Sequence, residues 1–307
     1  MQRVLGLMGC VALALVARGA DPTGTGYPDL STFRRLFAVP AVTDETPAAG
    51  RRVRLTLPDY EGSGVYGALY LPTDWTPGRS FPVLVEYAGN GDYRNKYGDV
   101  STGRVEDSSL GYGLSGPSGY IWLCLPYVDA VNRRNEIKWW GDVAATVDFC
   151  KRAVALVCAQ YGGRASAVVL CGFSRGAIAC NFIGLHDDEI AGLWCGFLAS
   201  SHYDGARAWP YPGSDRASAR ARLERLRGRP VLVAHESYDI APGTYSIVDT
   251  VNYLAGTGLP LTGFRFLALG IRNHADAWTS HDLPERRIAR QWLHDVIARA
   301  GATPVPR

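Results

Sequence analysis

Residues 167–182 read AVVLCGFSRGAIACNF, and this stretch decides the fold prediction. Its first half is an apolar, valine-rich run, which is typical of a strand covered on both faces. Its second half, from Arg175 onward, has the composition of a helix. Ser174 stands at the junction, with Gly172 and Gly176 two positions to either side. A tight strand-to-helix turn would press those two positions together, and glycine tolerates such an approach best.

Strand-like and helix-like runs continue on both sides of this turn. The first two apolar runs alternate with polar residues, as half-buried strands do, and from residue 141 onward strands and amphipathic helices alternate. This pattern predicts a doubly wound, mostly parallel sheet with helices on both faces, in one domain over residues 51–307. The eight predicted strands lie within residues 51–58, 64–72, 81–89, 119–127, 165–172, 191–200, 229–236 and 262–270.

In this order of elements, and in the G-F-S-R-G turn around Ser174, the chain resembles the α/β-hydrolase family from about residue 50 to its end. The resemblance implies a serine, acid and histidine triad in that chain order, with Ser174 as the nucleophile. A serine hydroxyl attacks well only when a base takes its proton and nearby donors stabilise the oxyanion. The acid, the base and the donors should therefore follow particular strands.

The triad acid is expected after the strand predicted within residues 229–236. Residues 235–239, HESYD, keep the family's H-G-x-x-D spacing, which favours Asp239. Glu236 in the same stretch and Asp204 after the preceding strand remain alternatives.

His274 is the predicted base, because it follows the last strand, where the family places its histidine. Its imidazole would take the serine proton while the acid held the ring in the correct tautomer. His202 is predicted to line the substrate site. The remaining histidines, which fit the base position less well, are His186, His235, His281 and His294.

Backbone N–H groups are expected to form the oxyanion hole. The resemblance places one donor at Arg175, directly after the nucleophile, and the other at Gly89 or Asn90 in the AGNG loop after the third strand. The Arg175 side chain has two open roles, since its guanidinium could grip an anionic substrate or form a structural salt bridge.

The polar segment 90–119 replaces much of the first crossover helix. A loop of this length is usually functional, so we expect it to form a wall of the cleft. The tryptophans of KWWGD follow the fourth strand, and either could stack on a substrate ring or pack in the core. The candidate substrate contacts are Tyr93, Arg94, Tyr97 and Trp139 or Trp140. Of the two tryptophans, Trp140 is the one that we expect to contact the substrate.

The N-terminus predicts export. Arg3 precedes an apolar run and then small residues, so residues 1–19 are predicted to be a signal peptide. Residues 20–50, rich in Pro, Gly and Thr, predict a loosely structured lead-in. A lipid anchor at Cys10 is the less favoured alternative, and the six later cysteines, which mostly lie in apolar runs, are predicted to be buried thiols.

Composition argues against several classes of partner. The net charge is only +3, and the Arg-rich stretch 215–229 lacks interleaved aromatic residues, so nucleic-acid binding is not predicted. No cysteine and histidine spacing is typical of a zinc site, so neither a metal nor a cofactor is predicted. No segment after the N-terminal one predicts a membrane span.

Together these features predict an exported serine hydrolase that cleaves carboxylic esters through an acyl-enzyme. The short insert 201–214 predicts a site without a large cap, which suits esters on carbohydrates or polymeric substrates. The alternatives are a peptidase similar to the prolyl oligopeptidase class and a catalytically inactive, hydrolase-like binding protein. No oligomeric state is predicted.

Overall fold

The computed structural model describes residues 13–14, 26–236 and 246–302. Its strands, in chain order, are β1 Leu13–Ala14, β2 Val42–Thr43, β3 Arg52–Leu55, β4 Gly67–Tyr70, β5 Phe81–Tyr87, β6 Tyr93–Arg94, β7 Val100–Ser101, β8 Ile121–Leu125, β9 Tyr127–Asp129, β10 Arg134–Glu136, β11 Gly163–Phe173, β12 Gly196–Ser200, β13 Val231–Glu236 and β14 Phe264–Leu269. Its α-helices are α1 Leu110–Ser115, α2 Val143–Tyr161, α3 Arg175–Phe182, α4 Asp188–Ala191, α5 Arg216–Leu223, α6 Ile247–Gly256 and α7 Pro284–Ala302. Short 3-10 helices cover Leu30–Thr32, Pro58–Tyr60, Val105–Asp107, Glu224–Leu226 and Asp276–Ser280.

One ten-stranded sheet forms the centre of the fold, in the order β1-β14-β13-β12-β11-β5-β8-β4-β3-β2. Within it the pairs β3–β4 and β4–β8 are antiparallel and the other pairs are parallel. The eight predicted runs supply eight of these strands, so the predicted fold is confirmed. The other two, β1 and β2, add two residues each at the edges, and β1 lies within the predicted signal peptide.

Side chains of the central strands alternate between two apolar cores. Val83 and Val85 of β5 face one core, and Leu84 between them faces the other. Helices α2 to α6 cover the first core, and α1 and α7 cover the second. The sheet is therefore covered by helices on both faces, which explains why its central strands are apolar throughout.

The segment 90–119 has more regular structure than its sequence predicts, because it contains the β6–β7 hairpin and the buried helix α1. The helix packs very closely, since a Cβ atom on Gly111 would overlap Trp122 and one on Gly113 would overlap Thr279. Glycine allows this packing while lowering helix propensity, so the sequence pattern resembles a loop.

The loop 201–215 between β12 and α5 contains no helix, as predicted for a chain without a large cap at this place. Of the helices in the described ranges, none is long and apolar enough to cross a bilayer. The six cysteines in those ranges are free thiols, and four of them are buried.

The turn after β11 is sharply bent at Ser174, whose φ is 54° and ψ is −115°. A residue with a Cβ atom rarely adopts a positive φ, so surrounding contacts must hold it there. The N–H of Ser174 donates to the carbonyl of Ser200 at 2.8 Å. A Cβ atom on Gly172 would overlap the backbone of Gly176, and one on Gly176 would overlap the carbonyl of Tyr87. Both glycines are therefore required sterically.

Replacing Gly176 by alanine should destabilise the protein. The added methyl has no space beside the Tyr87 carbonyl, and overpacking of this kind costs about 1–3 kcal/mol of unfolding free energy. Gly256→Ala is the matched control, because nothing lies within 4 Å of a Cβ atom built there. Urea unfolding measures both variants. An unchanged midpoint for Gly176→Ala would contradict the steric explanation of the turn.

Candidate active site

Three polar side chains meet at the carboxyl edge of the parallel strands. Ser174 follows β11, Glu236 is the last residue of β13, and His274 lies in the loop after β14. The carboxyl ends of neighbouring parallel strands lie at one edge of a sheet, which is where doubly wound folds place their ligand sites.

These side chains form one hydrogen-bonded series. His274 Nε2 lies 3.2 Å from Ser174 Oγ, and His274 Nδ1 lies 3.1 Å from Glu236 Oε1. A carboxylate can only accept, so Nδ1 carries the proton donated to Glu236, which leaves Nε2 able to accept the serine proton. The positions predicted for Ser174 and His274 are those that the structure brings together.

The carboxylate beside His274 belongs to Glu236, an alternative that the sequence left open. Asp239, the favoured acid, lies outside the described residues. Asp204 faces elsewhere and accepts from the Arg222 guanidinium at 2.8 and 3.0 Å. Because the glutamate side chain is one methylene longer than aspartate, Glu236 reaches the imidazole from the end of the strand itself.

Glu236 is fully buried, with 0% of its side chain exposed. Burial alone would raise its pKa, but the nearby His274 and His235 and the Ser201 hydroxyl outweigh burial and hold the pKa of Glu236 at about 2. The hydroxyl of Ser201 donates to Oε1 at 2.7 Å. Glu236 is therefore ionised at any pH at which a histidine base could work.

The predicted oxyanion donors lie on the two elements next to the turn that carries Ser174. Arg175 begins helix α3, and Gly89 and Asn90 follow β5. A Cβ atom on Gly89 would lie 2.7 Å from Ser101 Oγ and 3.1 Å from the Phe173 ring, so glycine is needed for this loop to pack against the turn. The side-chain oxygen of Asn90 accepts from the N–H of Trp139 at 2.8 Å, which fixes the loop from the other side.

The Arg175 side chain has neither of the two roles left open by the sequence. Its buried guanidinium donates to the carbonyls of Trp139 at 2.6 Å and Gly103 at 3.4 Å, and it lies 3.9 Å over the Tyr127 ring. No carboxylate in the described ranges forms an ion pair with it. Burial lowers the pKa of Arg175 to about 10, so the guanidinium stays charged while it ties the Trp139 loop to helix α3.

A cavity of about 560 Å³ opens beside Ser174 and His274. Predicted substrate contacts Tyr93, Arg94 and His202 line it. Trp140 does not, because only 4% of it is exposed and its ring stacks on Phe182 in the core. The cavity is lined by Asn90, Tyr93, Arg94, Asn95, Lys96, Trp139, Ser174, Arg175, Ile178, Ser201, His202, Arg207, Trp209, His235, Glu236 and His274.

Trp139 takes the place predicted for Trp140. Its backbone has a φ of 51°, so the chain turns between the two tryptophans and sends their rings to different environments. Tyr97, the remaining candidate, is not among the lining residues; its ring lies beside Lys96 and Arg272.

Two further histidines lie close to His274. His202 stacks on Trp209 with ring centroids 5.2 Å apart, and its centroid lies 5.4 Å from that of His274. Burial and the neighbouring His274 and His235 lower the pKa of His202 to about 3, and burial also lowers that of His235. Both rings are therefore neutral near pH 7. Sequence reasoning did not assign His235 to the site, although it directly precedes Glu236.

The β6–β7 hairpin is joined to the loop that carries His274. Asp99 accepts from the backbone N–H of His274 at 2.8 Å and from the side-chain amides of Asn273 at 2.8 Å and Asn95 at 2.7 Å. Tyr93 of the hairpin packs edge-on against the imidazole, with ring centroids 5.1 Å apart. No sequence pattern indicated Asp99, because Asn273 and His274 lie 174 and 175 residues away from it along the chain.

Within the described ranges, no group of three or more histidine, cysteine, aspartate or glutamate side chains is arranged to hold a metal ion.

No protein-family model and no curated protein matches the chain. Solved structures are similar in fold: a Bacteroides ovatus protein assigned as a dipeptidyl aminopeptidase IV (TM-score 0.56, 13% identity, 80% of this chain and 35% of that one), an esterase from the fungus Rhizomucor miehei (0.54, 14%, 83% and 86%) and a sugar hydrolase from Lactococcus lactis (0.51, 15%, 81% and 100%). The chain thus spans about a third of the length of the first. These likenesses show that the chain has the α/β-hydrolase fold.

Asp99→Asn should slow the reaction of Ser174 without unfolding the protein. Three N–H donors face the Asp99 carboxylate, so an amide would leave at least one of them unpaired and displace the His274 backbone. A misplacement of about 1 Å can cost on the order of 100-fold in rate. The measurement is the rate at which a fluorophosphonate labels Ser174, with the melting temperature recorded alongside.

Asp92→Asn is the control, because Asp92 is an exposed residue of the same segment that pairs with Lys138. A slow Asp99→Asn variant with a melting temperature near that of the parent would identify Asp99 as a positioning residue. A lowered melting temperature with an unchanged labelling rate would show a purely structural role and contradict the prediction.

Proposed function

We propose that this protein is a serine hydrolase that cleaves carboxylic esters. The observation that carries the proposal is the hydrogen-bonded series of Ser174, His274 and Glu236, with separations of 3.2 and 3.1 Å. The strained φ of Ser174 at the start of helix α3 supports it, because it holds the hydroxyl at the sheet edge and beside the positive end of a helix.

The reaction would proceed through an acyl-enzyme. Ser174 Oγ attacks the ester carbonyl while His274 Nε2 takes the hydroxyl proton, and Glu236 stabilises the imidazolium that results. The oxyanion accepts hydrogen bonds from the N–H of Arg175 and from the N–H of Gly89 or Asn90. Protonated His274 then gives its proton to the departing alkoxide. A water molecule next attacks the acyl-enzyme while His274 takes its proton, and the imidazolium returns that proton to Ser174 Oγ as the carboxylic acid leaves.

Three aromatic rings favour an ester carried on a carbohydrate. Tyr93, Trp139 and Trp209 line the cavity, and flat rings of this kind pack against the apolar faces of sugars. The 201–215 loop contains no helix, which supports the proposal of a bulky substrate at a site without a large cap there. The apolar run within residues 1–19 supports the further proposal that the protein is exported.

Labelling with a fluorophosphonate, followed by peptide mass spectrometry, tests the nucleophile. Label is expected on Ser174 of the parent protein. Ser174→Ala and His274→Ala should lose on the order of 1,000-fold or more in ester turnover, because members of a triad act as a unit. His294→Gln is the control, since His294 lies on the exposed side of helix α7 and bonds Tyr120.

The acid is tested by comparing Glu236→Gln with Asp239→Asn. Glu236→Gln should lower kcat by roughly 100- to 10,000-fold, because an amide cannot hold the productive imidazole tautomer or stabilise its charge. Asp239→Asn should retain most of the activity. The reverse result would assign the acid to Asp239 and contradict the role proposed for Glu236.

Parallel assays with matched esters and anilides of one acyl group measure the ester preference. Turnover of the ester alone is expected. Faster turnover of the anilide would instead indicate a peptidase, and failure of Ser174 to label in folded protein would contradict the serine-hydrolase proposal altogether.

A further inference from the structure

The geometry points to a preference for ester substrates that carry an anionic group, a carboxylate or a sulfate, which Arg94 and Lys96 bind at the wall of the catalytic cavity. This inference rests on the proposed function, because it names the substrate class of the same site.

The charges that line the cavity are unbalanced. Among the described lining residues, Arg94, Lys96, Arg175 and Arg207 are cationic and Glu236 is the one carboxylate, which gives a net formal charge of +3 with the histidines neutral. Residues 237–245 contain a single acid, Asp239, so they can remove at most one unit of this charge. The chain as a whole is also only +3, so the surplus is concentrated at the site.

The cations differ in what they can offer a ligand. The Arg175 guanidinium is committed to two backbone carbonyls, and Arg207 lies 5.0 Å over the Trp209 ring on the side of the cavity formed by the 201–215 loop. Glu236 is equally committed, because it is buried between His274 and Ser201. The charges that face solvent in the cavity are therefore positive.

Neither Arg94 nor Lys96 forms an ion pair within 4 Å in the described parts of the chain, although Arg94 lies near enough to the exposed Asp92 to help lower the pKa of that carboxyl. The nearby Lys138 differs from these two residues, because it forms an ion pair with Asp92 at 2.8 Å. Several exposed arginines elsewhere also pair with an acid, as Arg79 does with Asp74 and Arg287 with Asp282.

The hairpin that carries these two cations is held against the catalytic histidine. Asp99 bonds the His274 backbone, and Tyr93 packs on the imidazole ring. The backbone that carries Arg94 and Lys96 is thus held near His274 by neighbours one to five residues away. A cleft lined by one sign of charge focuses the field on its ligand and raises the association rate of oppositely charged substrates.

Two pairs of esters test the inference, each differing only in charge. The first is 3-carboxyphenyl acetate against 3-carbamoylphenyl acetate, with the charge on the alcohol side. The second is mono-4-nitrophenyl adipate against the corresponding adipamate, with the charge on the acyl side. At low salt the parent protein should show kcat/KM higher by on the order of tenfold for the anionic member of at least one pair, and the preference should shrink as KCl is added.

The decisive variant is Arg94→Gln/Lys96→Gln. Its kcat/KM on the preferred anionic ester should fall about tenfold while the neutral partner changes less than about twofold, which returns the ratio to near one. The control is Lys151→Gln/Arg152→Gln, which removes the same two charges from helix α2, where they pair with Glu189 and with Asp59 and Asp148. The control should keep the parent's preference.

Adding 3-sulfooxyphenyl acetate to the first pair of esters measures whether the site prefers a sulfate or a carboxylate. Equal kcat/KM for charged and neutral esters in the parent, or a preference that survives in Arg94→Gln/Lys96→Gln, would overturn the inference while leaving the hydrolase proposal intact. Failure of every ester together with failure of Ser174 to label would overturn both.

Discussion

Helix α3 lies directly against the ends of β5 and β11, and this contact at Gly176 is the constraint on which the site depends. No side chain separates Gly176 from the Tyr87 carbonyl, and none separates Gly172 from Gly176. The helix can therefore begin at the sheet edge, which holds Ser174 at a φ of 54° with its hydroxyl above the edge. Strand β13 ends at Glu236 and strand β14 leads into the loop of His274, so the carboxylate and the imidazole lie at the same sheet edge as Ser174. The strained turn and the parallel sheet therefore form the site together.

The parts of this arrangement that could be predicted from sequence are those set by local pattern. Buried runs, helical spacing and the glycines around Ser174 each reflect contacts within a few residues, and the order of elements then indicated His274. The acid could not be predicted in this way. The spacing at residues 235–239 favoured Asp239, which lies outside the described residues, and the structure places Glu236, one of the alternatives, beside the imidazole. Side-chain reach from a strand end depends on three-dimensional distance, which spacing does not encode.

The other differences have the same origin. Trp139 and Trp140 are neighbours in sequence, yet a positive φ between them sends one ring to the cavity and the other to the core. The guanidinium of Arg175 meets backbone carbonyls from distant loops, so its residue type alone indicated neither partner. The glycines that allow helix α1 to pack closely also lower its helix propensity, so the sequence pattern did not predict a helix there. In each case a contact between residues far apart in sequence decided the outcome over local preference.

The most direct test of the account is a crystal structure of the protein after reaction with a fluorophosphonate. We expect a phosphorus atom bonded to Ser174 Oγ, a phosphoryl oxygen within hydrogen-bond distance of the N–H of Arg175 and of Gly89 or Asn90, and His274 still paired with Glu236. An adduct on another residue, or a His274 ring turned to a different carboxylate such as Asp239, would contradict the arrangement on which the proposed chemistry rests.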